Sequence, residues 1–339
     1  MMKMRIGAIY WDAALPKETY FGGFTLLTLG NKEFSHRLPF FAVENQDGSF
    51  DFPDRTQEEY DREFSYAADA GIDFFACCWY PDSPGERPIG VELSPQLTDH
   101  LHELNRGRKM FQQSPVNRRM KMCAIVFTSH SYAQSDFEAL KEAMAADYYE
   151  KTDGKPLVML FGSYNADFNT FLREKMAEAG FTVHLSLISP TGRESSPDGF
   201  ATVDSLTAYA SCHGGGRFAD LTAQTDADNR RRLEHGLSVM PVLSAGWDPS
   251  PRIRRRNTWV TYEDIPYAPL PEKEDMEEAF ASVGALMEEN PDKLVSSTAM
   301  VFAWNEFEEG GYLCPTLGEG GIPDTSLADN FREVREKYR

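Results

Sequence analysis

The residues with chemical potential in this chain gather in short segments that each follow an apolar run. Near the C-terminus, Ala303-Trp304-Asn305-Glu306-Phe307-Glu308-Glu309-Gly310 places three carboxylates within four residues. Asp12 follows Tyr10-Trp11, Asp82 follows Trp79-Tyr80, and Asp248 follows Trp247, so aromatic and acidic side chains recur together. Cleaving a glycosidic bond needs two carboxyl groups with different tasks. One carries a raised pKa and protonates the leaving oxygen, while the other is ionised and activates a nucleophile. The spacing favours Glu306 and Glu309. At i and i+3 in a turn that begins helically they project to one side, where crowding of like charge raises one pKa, and Glu308 points elsewhere. The tryptophans suit stacking on the C–H faces of sugar rings, because they join a broad apolar face to a polar edge. Two plainer readings stand beside this one: the glutamates as ordinary solvated surface, and the tryptophans as plugs for the end of a core.

Other chemistries find less support. Metal-dependent hydrolase barrels usually carry His-x-His at the end of the first strand, and Arg5 to Asp12 holds no histidine. His100 and His102 lie two apart on an expected helix and so face different ways. No metal and no cofactor is expected. A G-x-S-x-G elbow, a G-x-G-x-x-G turn and a P-loop are all missing. Ser129-His130 and Cys212-His213 follow expected strand ends and read equally as ligand contacts or as plain loop residues. Arg252, Arg254, Arg255 and Arg256 read as partners of local acids. Asn229-Arg230-Arg231-Arg232 reads as the last turns of a helix, matched to its C-terminal dipole. The cysteines, an odd total of 5 with no zinc or redox spacing, read as reduced and buried.

Something must hold these segments at one place. Apolar runs of strand length occur at Arg5–Trp11, Ile72–Tyr80, Lys121–Ser129, Pro156–Gly162, Phe181–Ser189, Ala201–Ala210, Leu237–Gly246 and Ser296–Trp304. Several are apolar nearly throughout, as parallel strands buried on both faces are. Between them run amphipathic stripes: Tyr60, Phe64, Ala67 and Ala68; Phe137, Leu140, Met144 and Tyr148; Phe168, Phe171, Leu172 and Met176; Met276, Phe280, Val283 and Met287. A helix–glycine–strand punctuation recurs at Gly71, Gly180 and after His235 at Gly236. Eight strands alternating with helices predict a closed (β/α)8 barrel, formed by residues 1–339 as a single domain. The stretch Pro190 to Phe200 is too short for a full helix, so a degenerate crossover is expected there. Long loops after the first and seventh strands, Asp12 to Arg55 and Asp248 to Glu272, would roof the C-terminal end of the strands, where such barrels keep their active sites.

Composition narrows the partners. Acidic residues outnumber basic ones 53 to 34, a net charge of −19, which repels nucleic-acid backbones and anionic membranes. Neither is expected as a partner, and oligomeric state is not legible. The longest apolar runs are strand-sized, and Met1 to Ile6 leads into a strand without an apolar leader region, so a cytoplasmic location is expected.

Three segments also resemble a known family. Trp304-Asn305-Glu306-Phe307-Glu308-Glu309-Gly310-Gly311-Tyr312-Leu313-Cys314-Pro315 is similar to the W-N-E-W-x-E-G-x-x-L-E-P signature of glycoside hydrolase family 99-like proteins. These comprise endo-α-1,2-mannosidases, endo-α-1,2-mannanases and bacterial polysaccharide-processing relatives. Tyr66 to Tyr80 resembles the family's A-x-x-x-G-I-D-G-F-x-x-x-W-Y region, and Pro241 to Arg252 its P-x-x-x-x-G-W-D-N-T-P-R loop. The resemblance implies a metal-independent (β/α)8 barrel that cleaves α-mannoside-type linkages inside an oligosaccharide or polysaccharide with retention. It implies Glu306 as the group that deprotonates the substrate's own 2-hydroxyl, and Glu309 as the acid/base at the leaving oxygen. Substrate contacts are expected from Tyr10, Trp11, Asp12, Trp79, Tyr80, Trp247, Asp248, Arg252, Trp304, Asn305 and Tyr312. The sequence departs from the pattern at Phe307, at Phe74 in place of a glycine, and at Cys314 in place of a glutamate. The last departure keeps open a second reading, a non-hydrolytic carbohydrate-binding or polysaccharide-assembly barrel.

Overall fold

The computed structural model describes residues 3–30, 32–82, 99–189, 200–211, 215–234, 236–255 and 265–339. Its centre is a ring of parallel strands: β1 (Arg5–Tyr10), β2 (Phe74–Trp79), β3 (Lys121–Phe127), β4 (Lys155–Phe161), β5 (His184–Ser189), β6 (Ser205–Ala208), β7 (Ser238–Val239 and Val242–Ser244) and β8 (Thr298–Phe302). Each pairs with the next, and β8 returns to β1 in the register Arg5↔Thr298 to Ala8↔Val301. Every residue of β2, β5, β6 and β8 is buried, because barrel-filling side chains cover one face and helices the other.

The seventh strand closes the ring through a break. Ser238–Val239 pairs with β6 and Val242–Ser244 with β8. Across the gap, Met240 N donates to Leu206 O at 2.9 Å and Met300 N donates to Pro241 O at 2.8 Å. Pro241 has no N–H to give the ladder, so the regular pattern is interrupted at that residue while the ring stays joined.

Helices α1 (Tyr20–Leu29), α2 (Gln57–Ala70), α3 (Arg106–Gln113), α4 (Gln134–Ala145), α5 (Ala166–Ala177), α6 (Phe218–Leu233), α7 (Ser250–Arg254), α8 (Lys273–Glu289) and α9 (Ser326–Arg335) surround or roof it. A reciprocal box between Thr56 and Glu59 starts α2, satisfying two of the N–H groups that a helix start leaves open. The apolar stripes of α2 and α8 face the barrel, but Phe171 of α5 is 40 % exposed. Tyr148 lies beyond the end of α4. The expected helix at His100 and His102 is instead a short 3-10 turn, Leu101–Asn105, with His100 stacked on Tyr20. The Arg230–Arg232 run forms the last turn of α6. The expected crossover at residues 190–199 and His235 lie outside the described residues. No helix among the described residues is long and apolar enough to cross a membrane.

Candidate active site

The chain leaves β8 in a tight loop. Asn305–Glu306 pairs antiparallel with Gly311–Tyr312, and Phe307–Glu309 forms one 3-10 turn between them. This is not solvated surface: Glu306, Glu308 and Glu309 are 2 %, 4 % and 2 % exposed. The loop after β7 presses against it, with Asp248 N donating to Glu309 O at 2.7 Å. Two glycines permit that approach. Gly246 has φ +140° and a Cβ there would stand 2.2 Å from Gly310 O, while Gly310 itself has φ +67°.

Arg252, on α7, reaches all three carboxylates. Its Nη1 donates to Glu309 Oε1, and its Nη2 lies 3.4 Å from Glu308 Oε2 and 3.5 Å from Glu306 Oε2. The Tyr209 hydroxyl, just past β6, donates to Glu306 Oε1 at 2.5 Å. Glu308 turns its other oxygen away from the cavity, to the Thr28 hydroxyl at 2.5 Å. Among the described residues, three buried carboxylates thus gather around the guanidinium of Arg252. Burial and then the neighbouring Glu309 push Glu306 up to about 8, against the opposing pull of Arg252 and Tyr209. A carboxyl of that kind holds its proton near neutrality and, once ionised, is a stronger base than an ordinary carboxylate.

A cavity of about 490 Å³ opens beside this cluster, well within the size range of small-molecule sites. One side of it carries Trp11, Trp247, Arg252, Glu306, Glu309 and Tyr209. The other side is an arc of rings at successive strand ends. Tyr209 packs edge-on against Phe161 at 5.4 Å, Phe161 meets Phe127 at 5.3 Å, and Phe127 stacks with Tyr80 at 4.7 Å and with His130 at 4.8 Å.

Solved structures resemble this architecture. A GH99 endo-alpha-mannosidase from Bacteroides thetaiotaomicron in complex with bis-tris propane aligns with 100 % of this chain and 98 % of its own at TM-score 0.60 and 11 % identity. Another structure of a GH99 endo-alpha-mannosidase from that organism aligns over 100 % and 98 % at TM-score 0.56 and 12 % identity. The barrel is similar in fold to GH99 endo-alpha-mannosidases. No protein-family model matches the sequence, and no curated protein matches it.

Of the thirteen residues expected from the sequence as catalytic groups or substrate contacts, six line the cavity: Trp11, Tyr80, Trp247, Arg252, Glu306 and Glu309. Seven others do not. Neighbouring residues along a strand point to opposite faces, so Tyr10 turns from Trp11 toward Phe64 of α2, and Trp79 turns from Tyr80 to lie under Arg108, whose guanidinium carbon is 3.6 Å from its ring centre. Asp12 is bound at Oδ1 by Arg55 and at Oδ2 by the Tyr60 hydroxyl, at 2.6 and 2.7 Å. Trp304 Nε1 donates to Glu63 at 3.1 Å, and Glu63 in turn pairs with Arg55 at 2.6 Å. Asn305 Oδ1 accepts from Trp11 N at 2.9 Å, which fixes the stacking residue rather than facing the cavity. Asp248 is held by Arg37 through its backbone and side-chain oxygens. Tyr312 packs on Phe307 at 5.0 Å. Cys314 is buried with Sγ 3.9 Å from Glu63 Oε1, behind Trp304 and away from the cavity.

Tyr209, Phe127 and Phe161 line the cavity without having been singled out in the sequence. Their signal was positional, an aromatic residue at or just past the end of strands three, four and six. Ser129 and His130, which the sequence left open between ligand contacts and plain loop residues, line it as well. Cys212-His213 and Arg256 lie outside the described residues, while Arg254 pairs with Glu33.

Proposed function

We propose that this protein is a glycoside hydrolase that cleaves α-mannoside-type linkages within an oligosaccharide or polysaccharide, with retention, through Glu306 and Glu309. The observation that carries this reading is the pairing of Glu306, pushed up to about 8, with Glu309 on the wall of one cavity at the C-terminal end of the barrel. The two carboxyl groups share one cavity but not their surroundings; the raised one is Glu306, the reverse of the simple rule that the acid carries the raised pKa, and it serves as a base that is stronger than an ordinary carboxylate once ionised. In the first step Glu306 takes the proton of the substrate's 2-hydroxyl, whose oxygen attacks the anomeric carbon. The glycosidic bond breaks and the leaving oxygen takes its proton from Glu309. Water then adds to the anomeric carbon and gives a proton to Glu309, the bond from that carbon to O2 opens, and Glu306 returns the proton to O2. Tyr209 orients Glu306, Arg252 orients Glu309, and Trp11, Tyr80 and Trp247 wall the sugar. The departure at Cys314 takes no group out of the cavity, so nothing in the site favours the non-hydrolytic reading.

The test is product release from a panel of α-mannosides and bacterial polysaccharide fragments, with the first-formed anomer read by NMR. Release of the retained anomer by the native protein, lost in a folded Glu309→Gln variant, is the expected result. Binding without any release would overturn the hydrolytic reading and support a carbohydrate-binding barrel.

A further inference from the structure

The side of the cavity away from Arg252 is a poor host for a fully hydroxylated sugar. Its described lining includes Phe21, Leu101, Leu104, Ile125, Phe127 and Phe161, none of which has a side-chain hydrogen-bonding group. A sugar hydroxyl stripped of water and left unpaired against such a wall costs about 1–3 kcal/mol. Polar groups are few among the described residues of that side. Among them, His130 is 7 % exposed, packs against the rings of both Phe127 and Tyr80, and has no hydrogen-bond partner for Nδ1 among the described residues. Burial depresses His130 to about 4, so near neutrality it meets a ligand as an uncharged imidazole.

The wall is also built rather than collapsed. Leu101 and Leu104 ride on the 3-10 turn, and Asn105 at its end clamps it to the end of β2. Tyr80 N donates to Asn105 Oδ1 at 3.0 Å, and Asn105 Nδ2 donates to Tyr80 O at 2.8 Å. Such an apolar surface facing water is relieved by a ligand that is apolar in the same place.

We propose that this half of the cavity is a subsite for a glycan unit whose hydroxyls are missing or capped, a 6-deoxy or O-acylated sugar, with His130 meeting one of its remaining polar groups. The inference rests on reading the cavity as a sugar site and narrows the class of glycan it takes. A methyl or acyl group would meet apolar lining such as Leu101, Leu104 and Phe161, and the ring's C–H face would lie on the aromatic arc.

The experiment is calorimetric titration of the full chain with non-cleavable thio-linked mannose disaccharides that differ in one unit: plain mannose, 6-deoxymannose or O-acetylated mannose. The deoxy or the acetylated probe is expected to bind about 10-fold tighter than the plain one, the equivalent of sparing a single unpaired hydroxyl. Which of the two is preferred identifies the substituent. In Leu104→Gln that ratio should fall toward one, and in His130→Phe, which keeps the ring, affinity for the preferred probe should drop. Equal or weaker binding of both substituted probes by the native protein overturns the proposal, whatever the variants do. Cleavage of the oxygen-linked counterparts, compared with Glu309→Gln, is read separately. Preference without cleavage supports the subsite and removes the hydrolytic function, cleavage without preference removes the subsite alone, and no binding of any probe removes both.

Discussion

The two halves of the cavity are built in opposite ways. On the side of β7, β8 and β1 the walls are loops, and their contents are charges taken out of water: three carboxylates around Arg252. On the side of β2, β3 and β4 the walls stand at or beside strand ends, and their contents are rings packed on rings. Buried ion clusters contribute little net stability, because desolvation offsets their attraction, whereas the aromatic arc gains from burial and from ring contacts. On the function proposed here, reactivity is thus placed where the fold is costly, and recognition where it is stable. The expected consequence is that changes in the first half alter rate and pH response, while changes in the second alter affinity.

The largest effect should come from Glu306→Gln, with turnover falling by about 10²–10⁴-fold, the usual worth of a positioned acid or base. The same variant should be more stable relative to the native protein at pH 9 than at pH 5. Glu306 has a pKa raised from 4.5 to about 8 in the folded state, so its neutral form contributes fully below the unfolded value, and that contribution is lost as pH rises through the folded one. Thermal melts at the two pH values check this, and an equal shift at both would refute it. Next in size is Arg252→Met, which leaves the carboxylates without their cation and should cost about 3–5 kcal/mol in urea unfolding at neutral pH. A loss below about 1 kcal/mol would mean that the guanidinium is not what holds the cluster.

The native protein's kcat/KM should rise with pH through a limb near 8, since Glu306 must be ionised to act as the base. Tyr209→Phe removes the hydroxyl that favours the ionised form, so it should lower kcat about 10-fold and move that limb upward. A Tyr209→Phe profile superimposed on the native one would detach Tyr209 from Glu306. The smallest effect belongs to the other half. Phe127→Leu should raise KM by a few fold, the equivalent of about 0.5–1.5 kcal/mol for a lost ring contact, and leave the pH limb in place. Should that limb move, the two halves are not the separate devices described here.

Much of this was legible in the sequence, for reasons that differ by element. The run from Phe74 to Trp79 could be read because a strand buried on both faces has no polar alternation to confuse it. The seventh strand was expected as one piece from Leu237 to Gly246, and Pro241 is the residue that divides it. Glu306 and Glu309 stood out by type and spacing alone. Arg252 was drawn in by the family resemblance, because its partners lie more than fifty residues away. Asp12 had the right type and place, but its binding by Arg55, 43 residues on, belongs to tertiary structure. The strand-end aromatic pairs were located correctly as pairs; which member faces the cavity depended on strand register, so Trp11 and Tyr80 line it while Tyr10 and Trp79 do not. Tyr209, between Ala208 and Ala210, looked like any residue leaving a strand.

The register of β1 against β8 also governs how the chain can assemble. Arg5 pairs with Thr298, so the first strand of the ring to be synthesised waits for the ring's last. Until β8 has emerged from the ribosome, β1 keeps one row of backbone donors and acceptors unsatisfied, the kind of edge that recruits stray strands. The non-local closure makes for slow folding by topology alone, and a chain stopped before β8 would lack the closed ring, the Trp304 partner of Glu63 and the loop that carries Glu306 and Glu309.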